Sequence, residues 1–232
     1  MSTQQQADID GLQAQVSGAT LSAETHLSEA QESTGAPADL LLVFFLSGVA
    51  ALTYQVAWQR ALFGIYGLDT TSVTIVVSAF MLGLGLGSLA GGRMAASTGR
   101  ELFYFALLEA CIGLFGFFSL DLFGLVAEVS TGASHLVTGI VVFAMVLVPT
   151  ALMGASLPLL VGRVSRLNST VGESVSTLYF VNTLGGAVGA YLCASFALGA
   201  LGLLNTVRVA AALSLALALA IGIQCRMGGN EQ

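Results

Sequence analysis

The stretch Gly83–Arg93, GLGLGSLAGGR, holds five glycines in its first ten residues and closes on an arginine. Two readings compete for it. A glycine-rich loop that follows a strand cradles a phosphate at a helix N-terminus. Glycines that recur every fourth residue inside an apolar helix instead let two backbones approach closely. The preceding residues decide between them. SVTIVVSAFML (72–82) is an apolar run that reads as the first part of a membrane helix. Gly83, Gly87 and Gly91 then share one face and form two overlapping GxxxG motifs, with Gly85 and Gly92 off that face. The device returns at Gly185 and Gly189, flanked by Gly186, Ala190 and Ala194. All five spaced glycines are read as contacts between helices.

The composition agrees with a bilayer rather than water. Of 232 residues, 56% are hydrophobic and 9% charged, where an ordinary soluble domain carries about a quarter charged. The mean hydropathy is +0.88. The seven basic residues are all arginine and lie scattered, so no basic patch for nucleic acid exists. The net charge of -6 has a location. Asp8, Asp10, Glu24, Glu29, Glu32 and Asp39 precede the first arginine, and the rest of the chain is neutral overall. Cys111, Cys193 and Cys225 are far apart in apolar runs, without the spacing of a zinc site or a disulfide framework.

Residues 1–38 form an acidic polar tail of a composition that stays disordered alone. Ile9, Leu12 and Val16 give it weak helical spacing, and docking on a partner is expected to order it. The fold expected for residues 39–226 is all-α: a polytopic membrane protein with a bundle of six transmembrane helices. Six apolar runs are each about long enough to cross a bilayer. They cover 39–62, 70–96, 101–124, 135–161, 174–199 and 203–225, with a short C-terminal tail at 227–232. Arg93, Arg100, Arg163, Arg166 and Arg226 fall on one side, and Arg60 and Arg208 on the other. The positive-inside rule places the first group, and both termini, in the cytoplasm. The location expected is a bacterial-type inner membrane. Helices 1–3 and 4–6 read as two related halves, since the glycine motifs of helices 2 and 5 occupy equivalent places.

Polar groups at bilayer depth are the functional candidates. Glu109 lies eight residues past Glu101, about 12 Å deep. Asn182 and Thr183 enter from the same side to a similar depth, and a polar clip or a cation site joining them to Glu109 is expected. Near the other face, Tyr54, Gln55, Trp58 and Arg60 read as interfacial anchors, with Arg60 pairing with Asp121 or Asp69. Pro149 and Pro158, with Gly154 between them, are expected to break helix 4. The two histidines, His26 and His135, belong to no polar cluster. No metal site, cofactor or catalytic set is therefore read from the residues, and bound lipids or partner-held cofactors remain compatible with them.

Several segments together resemble one family. They are FFLSGVAALTYQVAWQRAL (44–62), AFMLGLGLGSLAGGR (79–93), ALLEACIGLFG (106–116), PTALMGASLPLL (149–160) and LYFVNTLGGAVGAYL (178–192). In this order they are similar to the membrane portion of the spermidine synthase-like membrane proteins, fusions of a major facilitator-like region with a synthase domain. Glu109, Pro149, Gly154, Pro158, Asn182 and Gly189 fall in the matching segments. The family shows a glutamate where this chain has Gln55. After helix 6 the sequence runs only to Gln232, so no aminopropyl transfer is expected of it. Three roles follow: a non-catalytic accessory or scaffold subunit among other membrane proteins and lipids, a transporter of a polyamine-like cation using Glu109, and a membrane anchor for a separate synthase.

Overall fold

The computed structural model describes residues 37–66, 70–129, 135–167 and 171–228. The acidic tail, Asp69, the stretch 130–134 and the last four residues lie outside it. The described residues are almost wholly helical. α1 is Ala38–Tyr66, α2 Thr70–Thr98, α3 Glu101–Val129, α4 His135–Leu167, α5 Val171–Leu192 and α6 Gly202–Gly228. After Leu192 the path of α5 continues through a π-helical turn, Cys193–Ala197, and a last α-helical turn, Leu198–Ala200. Among the described residues, six helices have the length and apolarity to cross a membrane. Their ends run past the apolar runs read from sequence because a helix keeps its hydrogen bonds into the polar headgroups, where hydropathy no longer marks it.

Two connections turn on glycine. Gly99, at φ +63°, ends α2, and Gly202, at φ +74°, opens α6. Both take the left-handed conformation that side chains other than glycine resist. Thr98 also donates to the Met94 carbonyl, closing the last turn of α2.

The bundle is built from close pairs. α2 packs on α4, α1 on α5 and α3 on α6, with further contact of α3 with α4 and of α1 with α6. A methyl group added to Gly87 would collide with the Ala151 backbone, and one on Gly91 with that of Ala155. Gly83 lies as tightly against Thr150. Across the bundle Gly185 abuts Phe45, and Gly189 abuts Val49. Exchanging helices 1, 2 and 3 for 4, 5 and 6 leaves every one of these pairings in place. The two halves are therefore arranged as a pseudo-symmetric pair. With three spans each, they run in opposite senses through the membrane.

α4 corrects one expectation from sequence. It is a single helix that runs through Pro149 and Pro158 without a break. Proline removes the hydrogen bond to the carbonyl four residues back. The carbonyl that Pro158 leaves free, that of Gly154, accepts from Ser88 of α2 at 3.1 Å. Near Pro149, Thr150 donates to the Val146 carbonyl at 2.9 Å. The Ser88 hydroxyl thus serves the backbone group that Pro158 cannot.

Candidate functional site

Glu109 is 1% exposed inside the bundle. Ser47 of α1 donates to its Oε1 at 2.5 Å, tying α1 to α3. Two more hydroxyls adjoin the carboxylate. Ser214 of α6 lies beside both Glu109 and Tyr54. Tyr54 is wholly buried, with its ring end packed on Gly116 of α3. The hydroxyls of Tyr54 and Ser214 have no hydrogen-bond partner among the described residues. The cluster therefore gathers one carboxylate and three hydroxyls from α1, α3 and α6. It can hold a proton, a water or a small cationic group.

The expected neighbours of Glu109 are placed elsewhere. α1 stands between the two groups: Ser47 meets Glu109, while Gly48, one residue on, abuts the backbone and Oδ1 of Asn182 in α5. Thr183 turns its hydroxyl to the Tyr179 carbonyl of its own helix. Residue counting fixed a common depth for Glu109 and Asn182, but depth leaves the direction around each helix open.

The expected interfacial group is also corrected. Tyr54 and Trp58 are both 0% exposed, and they stack on each other with centroids 5.1 Å apart. Phe80, Phe115 and Phe123 surround the indole. Its Nε1 donates to Ser119 at 2.9 Å, and Ser119 donates on to the Gly116 carbonyl. The aromatic pair is core because α1 is covered from several sides, by α5, α6 and α3. Gln55 is half-buried and Asp121 exposed. No Arg60–Asp121 ion pair exists among the described residues, and Asp69 lies outside them. Arg60 instead edges a cavity of about 630 Å³ with Ala194, Leu198, Gly199 and Leu203.

Sequence reasoning passed over a second charged feature. At the other end of the bundle, Arg166 of α4 holds Glu101 of α3, with Nε 2.8 Å from Oε1. The same guanidinium donates to the Ala95 carbonyl of α2 at 3.2 Å. Glu101 is buried while Arg166 is half exposed. An acid that opens one helix and a basic residue that closes another were the available signal. No cluster of histidine, cysteine and acidic residues suited to a metal occurs among the described residues.

These features define a polytopic, all-helical membrane protein with an enclosed polar cluster. Among curated proteins, the chain is similar to a polyamine aminopropyltransferase of Oceanobacillus iheyensis, at 23% identity over 155 residues. The match covers 65% of this chain and 29% of that relative, so the chain spans under a third of its length. No protein-family profile matches the chain. No solved structure matches it either.

Proposed function

We propose that the chain is a non-catalytic membrane protein serving as an accessory or scaffold subunit of a larger membrane assembly. The outer face of α5 carries this reading. α5 has the lowest hydropathy of the six spans and the smallest share of its span buried. Tyr179, Phe180, Tyr191 and Phe196 are each at least 60% exposed along it. Tyr191 lies nine residues before the end of its span at Ala200, about 13 Å in. Its hydroxyl has no partner among the described residues, and a bare hydroxyl in hydrocarbon is unfavourable. A helix from another subunit would supply both the apolar contact and the hydrogen bond. The name of the similar protein supports an aminopropyl-transferring enzyme as the first partner to test, which makes the chain its membrane anchor. The arginine distribution supports a bacterial-type inner membrane with cytoplasmic termini.

Purification in a mild detergent, followed by mass identification of what remains bound, tests this proposal. A membrane protein recovered at fixed stoichiometry supports it. A chain recovered alone contradicts it.

One observation favours a second reading, transport of a polyamine-like cation. The unpartnered hydroxyls of Tyr54 and Ser214 beside Glu109 suit a small ammonium group. Uptake of spermidine into proteoliposomes that hold only this chain, abolished in Glu109→Gln, would establish it in place of the first.

A further inference from the structure

The pseudo-symmetry of the two halves makes Arg60 the counterpart of Arg166. Gly87 and Gly91 of α2 abut Ala151 and Ala155, and Gly185 and Gly189 of α5 abut Phe45 and Val49. Phe45 and Ala151 are 106 positions apart, as are Val49 and Ala155. Arg60 and Arg166 are separated by the same 106. Each arginine thus leaves its helix at the same point of the repeated arrangement, at opposite ends of the bundle.

Their surroundings differ in one respect. Arg166 meets Glu101 in the first turn of α3, and the carboxylate fills the space between them. Arg60 shares a cavity with Leu203 in the first turn of α6, and no described acid pairs with it. An open cavity of about 630 Å³ occupies that place. Its other walls are Ala194 in the π turn and Leu198 and Gly199 beyond it. Cys193 holds the π turn on α1 by donating to the Thr53 carbonyl at 3.7 Å. The other arginine on this side, Arg208, is already stacked over Phe117, 5.5 Å from the ring centroid.

We propose that this cavity binds an acidic phospholipid, whose phosphate takes on Arg60 the place that the Glu101 carboxylate takes on Arg166. The charge requirement comes from the guanidinium, and the apolar wall of Ala194, Leu198 and Leu203 suits an acyl chain better than a free anion. Arginine suits a phosphate because its fork of donors matches the oxygens. The site is independent of the accessory role above and does not involve Glu109.

Native mass spectrometry of the full chain titrated with phosphatidylglycerol or phosphatidylcholine tests the proposal. The wild type is expected to retain phosphatidylglycerol about fivefold more strongly, the worth of one arginine at an anionic surface. Arg60→Gln removes that preference, and Arg208→Gln keeps it. Leu203→Glu places a carboxylate on the cavity wall that Arg60 shares and also removes the preference, so that the test survives if Arg60→Gln does not fold. Equal retention of the two lipids by the wild type overturns the proposal. An unchanged preference in both Arg60→Gln and Leu203→Glu does so as well. Thermal stabilisation by inorganic phosphate alone, equal to that by the lipid, overturns it in favour of a free anion.

Discussion

Ser47 and Glu109, 62 residues apart in the chain, meet in a hydrogen bond of 2.5 Å that joins α1 to α3 inside the apolar bundle. Ser47→Ala should lower stability by about 1 kcal/mol, the usual worth of a hydrogen bond between membrane helices. A double-mutant cycle with Glu109→Gln, read by unfolding in mixed micelles, should give a coupling of at least 0.5 kcal/mol, about the lower bound for groups in contact. Additive effects would show that the two side chains do not act on each other.

The glycine faces should respond by position. Gly87→Leu and Gly91→Leu force side chains into the backbone of α4 and should abolish recovery of folded protein. Gly85→Leu points into open space on the same helix and should be recovered at wild-type yield. Size-exclusion profiles of the three variants check this. Equal tolerance at all three positions would remove the close α2–α4 contact.

Trp58 is the only tryptophan of the chain, so its fluorescence reports one site. Emission should be blue-shifted, and it should resist both acrylamide in water and spin labels on lipid tails. An indole at the headgroup level would be quenched by both. Trp58→Phe should cost about 1 kcal/mol through the lost bond to Ser119.

The Arg166–Glu101 pair should be asymmetric. Arg166→Gln leaves a buried carboxylate without its cation, whereas Glu101→Gln leaves a guanidinium that is half in water. The first variant should therefore be the less stable by about 1 kcal/mol or more, after allowance for the exposure of the arginine. Thermal melts of both variants in one detergent check the order. Equal losses would place the pair in solvent.

How much of this was legible in the sequence differs by level. The six spans stand out because twenty apolar residues in a row have few other uses. The acid at Glu109 stands out for the same reason. Its partner does not, since Ser47 is one of several small hydroxyl residues in apolar runs and nothing local ties it to residue 109. Tyr54 and Trp58 resemble interfacial aromatics because α1 is apolar on every side, which hides the face that turns inward. The prolines of α4 suggest a break because the compensating hydroxyl, Ser88, belongs to another helix.

The accessory role rests on α5 facing protein. A photoreactive amino acid placed at Tyr191 or Phe196 in intact membranes tests this most directly, with Leu114 of α3, also exposed, as the comparison. The account predicts one discrete protein adduct from the α5 positions under illumination. Adducts with lipid alone from Tyr191 and Phe196, indistinguishable from those at Leu114, would contradict it.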